Sequence, residues 1–363
     1  MKILISEENF IHNINFLKKK YDRDILPVIK ANGYGHDLKL IVSLLLKYKI
    51  NQCVVARLSE ALEILRSLSI PKDFKILVLE SISEENFGYI LDYPQILVVA
   101  NSIDDILKLL GNKIPINQIQ IKIDLGFGRN GITTDEIPLL KEIISKEKTK
   151  FSGIFSHLFS VPYKKGIELI NIFENILNTL GKDRFSMIHL QNSLGISNYG
   201  TIHFTTHLRP GMFIYGFYED GAYEKNLKKV FSLKGSITAI KNIKNIDYLA
   251  YTPKKNLKTT SENIGFVKIG YGDGFLKSNE GSFVKIKDKF YKILLITMDN
   301  TFIEVDENIN IGDEVEIYFD FDVTKKHLKI NICEFLPILS SRIPRILNKN
   351  WTIKIMFLIN SDS

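Results

Sequence analysis

The sequence predicts an α/β protein with an N-terminal (β/α)8 barrel of the TIM type and a C-terminal all-β domain. Three observations carry this prediction. The chain has 363 residues, a length that suits two domains. Its first part alternates short Ile- and Val-rich runs with amphipathic stretches. After about residue 225 this helical periodicity fades, so we place the barrel at residues 1–225 and the β-domain at residues 226–363.

The barrel prediction rests on strand-like runs that are mostly separated by helix-like stretches. Several of these stretches begin with Ser, Asp or Thr, which are favoured helix N-caps. Parallel strands need crossover connections, and helices supply them, so a closed parallel barrel is favoured over the alternative, a doubly wound open sheet. The eight runs cover residues 25–31, 52–57, 74–80, 95–100, 119–124, 151–158, 186–192 and 207–216.

The β-domain prediction rests on short strand-like runs that Gly, Asn and Asp turns separate. No internal repeat or low-complexity linker lies between these runs and the barrel. The pattern is typical of a compact all-β domain. The runs cover residues 266–274, 281–300, 302–306, 308–319 and 328–335.

Composition and charge exclude several classes of protein. The chain is 45% hydrophobic and 25% charged, which argues against a disordered protein. Its net charge is +7, but the lysines are scattered among acids, so we expect no nucleic-acid partner. Cys53 and Cys333 lie far apart, without metal or redox spacing, so we expect no metal site and a reducing compartment. The sequence shows no signal peptide and no long apolar run, which predicts a soluble, cytoplasmic protein.

The string VIKANGYGHD (residues 28–37) is the sharpest local signal. Lys30 ends the first predicted strand, and active sites of such barrels lie where the strands end. A lysine at that place can form a Schiff base with an aldehyde cofactor or a carbonyl substrate. The residues alone leave open a solvent-exposed lysine that precedes a turn.

The segment IQIKID (residues 119–124) predicts a second lysine inside the barrel. Gln120, Lys122 and Asp124 alternate with isoleucines and therefore share one face of the strand. If that face points inward, Lys122 is buried, and an unpaired buried ammonium is costly. A simple ion pair with Asp124 or another acid is the alternative.

The string VIKANGYGHD closely resembles the pyridoxal-phosphate lysine motif of the alanine racemases. Further segments similar to motifs of this family follow in order to about residue 345. They are ARLSEALEIL (56–65), IKIDLGFGRNGI (121–132), GIFSHL (153–158), IHLQNS (188–193), RPGMFIYG (209–216), GYGDGF (270–275), TMDN (297–300) and SRIPRI (341–346). The resemblance implies an isomerase that interconverts L- and D-alanine and supplies D-alanine for peptidoglycan.

The resemblance also implies the cofactor, pyridoxal 5'-phosphate, and the residues that hold it. Lys30 would bind it covalently and exchange a proton with one face of the substrate Cα. Arg209 would face the pyridine nitrogen, and since arginine does not release its proton in proteins, that nitrogen would stay unprotonated. This favours racemisation over transamination. The implied cofactor contacts are Lys30, Tyr34, His157, Asn192, Ser193, Arg209, Gly211 and Met212.

On the substrate side, the resemblance implies contacts from Arg129, Tyr271 and Met298, with Asp299 in support. Family members commonly carbamylate the lysine at the position of Lys122. The resulting N6-carboxylysine is an anion that can hold Arg129.

The second proton acceptor in the family is a tyrosine from the β-domain of a partner subunit, which implies a head-to-tail homodimer with shared active sites. The matching segment, IDYLAYTPKK (246–255), departs from the usual pattern. With a one-residue deletion Tyr248 takes the catalytic place; without a gap Asp247 does, and Tyr251 is the later aromatic. We prefer Tyr248, because an aspartate is a poorly matched base for this proton.

Two further departures leave alternatives open. Additional residues precede Tyr271, and the arginine usual before the Met-Asp pair is missing from LLITMDN (294–300). A pyridoxal-phosphate-binding homologue with weak or no turnover therefore stays open. So does a racemase for serine or another amino acid.

Overall fold

The computed structural model describes residues 1–218, 223–259 and 261–348. The chain divides into two compact units. One is Phe10–Lys228, and the other joins Met1–Asn9 to the residues from Lys229 onward. The division between the two units at Lys228 and Lys229 lies close to the predicted one at residues 225 and 226. Met1–Asn9, however, were predicted to be part of the barrel and lie in the other unit. The strand β1 (Lys2–Ser6) belongs to the C-terminal unit, because it pairs there with two strands of that unit's sheet.

The first unit is a parallel barrel. Its eight strands hydrogen-bond in the order β2-β9-β8-β7-β6-β5-β4-β3. An isolated parallel bridge between Val28 and Val54 joins the first strand region to β3 and closes the ring. The predicted fold class is confirmed. The strands are β2 (Asp24–Ile25), β3 (Gln52–Val55), β4 (Lys75–Val78), β5 (Ile96–Ala100), β6 (Ile119–Lys122), β7 (Phe151–Phe155), β8 (Phe185–His189) and β9 (His207–Leu208).

Helices connect most of these strands, as the crossover argument requires. Polar N-caps begin several of them: Ser102 accepts a hydrogen bond from Asp105 N, and Asn192 accepts one from Gly195 N. The helices are α1 (Glu7–Tyr21), α2 (Lys30–Tyr34), α3 (Leu38–Lys47), α4 (Leu58–Ser67), α5 (Phe87–Asp92), α6 (Ile103–Gly111), α7 (Ile137–Lys146), α8 (Tyr163–Leu180) and α9 (Ser193–Tyr199). No helix in the described part of the chain is long and apolar enough to cross a membrane.

Apolar side chains fill the barrel interior. They come from successive strands, as expected when alternate residues of each strand point inward. Tyr34 packs against this cluster, which connects the loop after Lys30 to the barrel core. The buried members are Leu26, Val28, Val54, Leu77, Leu97, Val99, Phe155 and Met187.

The second unit is built on a β-sheet in which six strands close a ring. β10 pairs with both β13 and β17, and β1 and β18 extend the sheet from β10. The predicted β-domain extends to residue 363, but residues 349–363 lie outside the described part of the chain. The strands are β10 (Phe231–Asn242), β11 (Tyr248–Leu249), β12 (Thr252–Pro253), β13 (Asn263–Val267), β14 (Phe283–Ile286), β15 (Lys289–Ile296), β16 (Thr301–Glu304), β17 (Glu314–Ile317) and β18 (Arg345–Asn348).

The strand predicted at residues 328–335 is wrong. The structure has two short helices in this region, α10 (Phe321–Leu328) and α11 (Ile332–Phe335). The carboxylate of Asp320 caps α10 by accepting hydrogen bonds from Asp322 N and Val323 N. These local caps stabilise helical turns that the apolar pattern alone does not reveal.

Candidate active site

Lys30 lies at the barrel mouth, but not at the end of a continuous strand. The predicted strand at residues 25–31 is too long: β2 ends at Ile25, and Lys30 is the first residue of α2. The four residues that follow adopt left-handed backbone conformations, with φ of 54° at Ala31 and at Asn32, 63° at Gly33 and 53° at Tyr34. Such conformations cost about 1–2 kcal/mol for each residue other than glycine.

Side chains of the same loop hold this unusual backbone in place. Asn32 Oδ1 accepts a hydrogen bond from Leu38 N at 2.8 Å. The Nδ1 atom of His36, a buried residue, donates to Gly33 O at 2.9 Å. Asp37 then caps α3 by accepting from Leu40 N at 3.0 Å. Polar residues of the segment thus stabilise part of the strained backbone that follows Lys30.

Lys122 ends β6 and is 8% exposed, and Gln120, on the same face of the strand, hydrogen-bonds to the buried His189. Within the described ranges no carboxylate forms an ion pair with Lys122. Asp124 instead accepts hydrogen bonds from backbone N–H groups of residues 126–128. Burial, with Arg129 and Arg209 nearby, lowers the pKa of Lys122 to about 8. At pH 7 about a tenth of this lysine is therefore free amine, and the rest is protonated.

The loop after β6 carries Arg129 and folds back on the strand. Ile132 N donates to Lys122 O at 2.8 Å, and Asp124 N donates to Ile132 O at 2.9 Å. Gly131 permits this approach: its φ is +141°, and a Cβ atom there would lie 2.6 Å from Asp124 N. The Arg129 guanidinium lies over the Phe127 ring, 4.7 Å from the centroid.

Arg209 follows β9 and is 4% exposed. Its guanidinium donates to Ser156 O at 2.8 Å and to Nδ1 of His189. It also lies 5.0 Å from the centroid of the Phe155 ring. Burial and the charge of Arg129 lower the pKa of Arg209 to about 9, so the group remains a cation at neutral pH.

The bond to Arg209 determines the tautomer of His189. Because an arginine only donates, Nδ1 of His189 must accept, so Nε2 carries the proton. Nε2 in turn donates to Oε1 of the fully buried Gln120 at 2.8 Å. Burial and the charge of Arg209 hold the pKa of His189 well below its ordinary value. Neither Gln120 nor His189 had a predicted role, although both lie within segments that resemble family motifs or form the polar strand face.

His157 and Asn192 form a hydrogen-bonded pair beside these cations. Asn192 Nδ2 donates to His157 Nε2 at 3.2 Å and to Leu158 O at 3.1 Å. Burial lowers the pKa of His157 to about 3, and the charges of Arg209, Arg129, Lys122 and Lys30 act in the same direction. His157 is therefore neutral, and its environment shows that these four cations converge on one region.

Small and hydroxyl-bearing residues form a cradle in the same unit. Ser193 is buried, and its Oγ lies 3.4 Å from Phe213 N. Gly211 faces Tyr34 closely enough that a Cβ atom there would lie 2.5 Å from the Tyr34 hydroxyl oxygen. Together with Met212, these residues offer hydroxyl and backbone donors of the kind that bind phosphate. The cradle and the cations suit a phosphorylated, anionic cofactor.

The remaining predicted site residues lie in the C-terminal unit. There the segments GYGDGF and TMDN pack against each other: Tyr271 N donates to Thr297 O at 3.0 Å, and Gly272 N donates to Met298 O at 2.9 Å. Asp299 accepts from Arg342, whose guanidinium lies 2.8 Å away. Arg342 lies in the matched segment SRIPRI but had no predicted role.

The candidates for the second base lie on the hairpin of β11 and β12 in this unit. Tyr248 pairs with Pro253 in the hairpin and is 61% exposed, while Tyr251 is 89% exposed. Asp247 is also exposed, and its carbonyl oxygen accepts from Lys254 N. The assignment of Tyr248 as the base stays a prediction.

A (β/α)8 barrel with a lysine and several cations at its mouth, in a chain whose second unit closes a ring of β-strands, suits an enzyme that binds an anionic cofactor. The family descriptions "Alanine racemase, N-terminal domain" and "Alanine racemase, C-terminal domain" match residues 5–219 and 230–347. The chain belongs to the alanine racemase family. The predicted family and enzyme class, an isomerase, are confirmed.

One relative supports this family assignment, and two solved structures support the fold. The alanine racemase of Fusobacterium nucleatum is 31% identical over 360 residues, which cover 95% of this chain and 99% of that protein. The crystal structure of alanine racemase from E. faecalis superposes with a TM-score of 0.82 at 23% identity and covers 96% of this chain and 98% of that one. The Bartonella henselae alanine racemase, solved with covalently bound pyridoxal phosphate, has a TM-score of 0.80 at 21% identity; the match covers 96% of this chain and 100% of that one.

Proposed function

We propose that this protein interconverts L- and D-alanine, with pyridoxal 5'-phosphate bound covalently to Lys30. The observation that supports this most directly is the placement of Lys30 in a barrel mouth that also carries Arg209, a buried guanidinium, and a phosphate-type cradle. The family relatives are named as alanine racemases and match this chain over almost its full length.

Residues of the barrel unit would hold the cofactor. Tyr34, Ser193, Gly211 and Met212 would bind its phosphate, and the neutral ring of His157, supported by Asn192, would pack against the pyridine. When bound, pyridoxal phosphate supplies an electron-withdrawing ring that makes the substrate Cα–H bond acidic.

Arg209 would donate a hydrogen bond to the pyridine nitrogen. Its hydrogen bonds to His189 and to the Ser156 carbonyl hold the guanidinium in one orientation. As a cation at neutral pH it offers donors only, so it keeps a proton away from that nitrogen. We infer that this limits the charge withdrawn from Cα and favours rapid return of the proton.

Racemisation needs a proton-transfer group on each face of Cα. The amine of Lys30 would serve one face. The phenol of Tyr248, delivered by a second copy of the chain, would serve the other; its exposure on a surface hairpin leaves it accessible to a partner. The active form would then be a head-to-tail homodimer, and Tyr271 and Met298 of the second copy would border the substrate.

Arg129 would bind the substrate carboxylate or the phenolic oxygen of the cofactor as a two-pronged donor. A carbamylated Lys122 would provide the anion that holds Arg129 in place. The free amine of Lys122 would attack carbon dioxide, form an N–C bond and release one proton. We further propose that the enzyme acts in the cytoplasm and supplies D-alanine for peptidoglycan.

The test is an assay of the purified protein, reconstituted with pyridoxal phosphate, on L-alanine and L-serine. We expect racemisation of alanine above that of serine. Replacement Lys30→Ala should abolish it, by at least about 10³-fold, because the residue is both the attachment point and a base.

Lys39→Ala is the matched control, since Lys39 is exposed on the neighbouring helix α3 and pairs with Glu63. Borohydride reduction and peptide mapping should place the cofactor on Lys30. A label on another lysine would overturn the proposal, and preference for serine would reassign the substrate.

A further inference from the structure

The carboxylate of Glu60, on helix α4, accepts three backbone hydrogen bonds. Oε2 accepts from Ala56 N at 2.8 Å and from Arg57 N at 3.1 Å, both in the loop that precedes α4. Oε1 accepts from Ala31 N at 2.6 Å, across 29 residues of sequence. The two oxygens therefore join the loop after β3 to the peptide directly after Lys30.

The Ala31 amide is the place where the chain turns from Lys30 into the left-handed segment. Other bonds of this segment act further along: Gly33 N donates to Ile29 O, and Leu38 N donates to Asn32 Oδ1. Glu60 acts on the first peptide itself. Since left-handed conformations are unfavourable for Ala31, this peptide needs an outside partner to stay in that orientation.

We propose that Glu60 is a positioning residue for Lys30. Its carboxylate fixes the peptide plane after Lys30 and thereby the direction in which the lysine side chain leaves the backbone. The inference rests on the proposed function of Lys30 as the cofactor-binding base. Glu60 itself touches neither cofactor nor substrate in this role.

Glu60→Gln is the most direct variant, because it keeps the size of the side chain and leaves one acceptor oxygen. That oxygen can retain the pair of bonds to Ala56 and Arg57, and the amide nitrogen then faces Ala31 N–H without accepting from it. Glu60→Asp is a second variant, which keeps both oxygens but shortens the reach by one methylene group. Glu63→Gln is the control, because Glu63 is exposed on the same helix and pairs with Lys39.

Three measurements test the proposal. Hydrogen exchange at the Ala31 amide, in protein without cofactor, should become about tenfold faster in both Glu60 variants and stay unchanged in Glu63→Gln. In the reconstituted enzyme, kcat for alanine should fall about tenfold with little change in KM, because a small displacement of a catalytic base affects the reaction more than binding. The visible absorbance of the Lys30-bound cofactor should also titrate at a different pH in the variants.

The inference would be overturned if both Glu60 variants exchanged the Ala31 amide at the wild-type rate and if their cofactor absorbance titrated as in the wild type. Faster exchange with unchanged kcat and titration would also overturn it, because Glu60 would then hold the loop without affecting Lys30. If the wild-type protein neither binds pyridoxal phosphate nor racemises alanine, the proposed function fails instead, and a positioning role toward that cofactor fails with it.

Discussion

The barrel mouth and the exposed part of the C-terminal unit hold their candidate residues in opposite ways. In the barrel, Arg209 and Lys122 are 4% and 8% exposed. Hydrogen bonds hold the Arg209 guanidinium, and the left-handed segment after Lys30 constrains the backbone of that lysine. In the C-terminal unit, Tyr248, Met298 and Tyr271 are 61%, 55% and 45% exposed.

This difference distinguishes groups that are preorganised within one chain from groups that are presented at its surface. The barrel residues have lowered pKa values because burial and neighbouring cations disfavour further positive charge. Exposed aromatic and thioether side chains are typical of surfaces that pack against a partner. The comparison predicts that barrel residues act through electrostatics and the exposed ones through contact with a second copy.

Of the changes that test this comparison, the largest loss of activity should come from the exposed residues. Tyr248→Phe should reduce abstraction of the Cα proton from L-alanine by about 10²–10³-fold, because it removes one of two proton-transfer groups. Exchange from D-alanine through Lys30 should persist in part. Proton exchange from each enantiomer, followed by NMR in deuterated water, measures both effects.

Tyr251→Phe and Asp247→Asn are the controls for this experiment, because both residues lie on the same exposed hairpin. Both should retain activity. An inactive Asp247→Asn beside a normal Tyr248→Phe would show that the ungapped alignment is correct.

Arg209→Glu tests the electrostatic side of the comparison. A carboxylate at this position would let the pyridine nitrogen take a proton, so racemisation should fall about 10²-fold. A long-wavelength absorption band should persist during turnover, since the ring would then hold more of the charge.

Arg209→Lys keeps the positive charge and should show the lower rate without that band. Arg66→Gln, on the exposed face of α4, should behave like the parent protein. Racemisation by Arg209→Glu at the parent rate would refute the electronic argument.

Removal of carbon dioxide should have a smaller effect on the racemisation rate. The pKa of about 8 leaves part of Lys122 as free amine, and this part grows as the pH rises through 8. Removal of carbon dioxide and bicarbonate should lower the rate about tenfold or less, by loosening Arg129, and added bicarbonate should restore it.

NMR with labelled bicarbonate should show one carbamate signal that is missing from Lys122→Ala and present in Lys141→Ala, a change at an exposed residue of α7. A spectrum without a carbamate signal in the active enzyme would exclude this modification.

The smallest effect concerns stability in acid. The pKa of His157 is about 3 in the folded chain, against an ordinary histidine value of 6.5, so between about pH 6.5 and 3 only the unfolded chain takes up this proton. The free energy of unfolding should therefore decrease as the pH falls from 6.5 toward 3, by at most ~1.4 kcal/mol per pH unit for this group. His157→Phe should show a shallower decrease in urea unfolding measured at pH 7 and pH 5. An equal decrease in both proteins would show that His157 takes up its proton in the folded state.

Much of the barrel could be predicted because its signals are local. Runs of Ile and Val mark all eight strands, and the candidate residues Lys30, Lys122 and Arg209 lie at or just beyond strand ends or bridges. The inward face of IQIKID follows from the alternation of a strand. The helices at residues 321–335 were missed because short-range caps, and not periodicity, determine them.

The sequence by itself determined the order of the barrel strands, the family and the identity of the charged groups at the barrel mouth, since these depend on residue types and spacing along the chain. Only the tertiary structure decided which groups touch. The bond between Glu60 and Ala31 spans 29 residues, and the bond between Gln120 and His189 spans 69. The pairing of β1 with β10 places the first residues in the C-terminal unit. Such contacts arise from chain packing over long separations, which local periodicity does not encode.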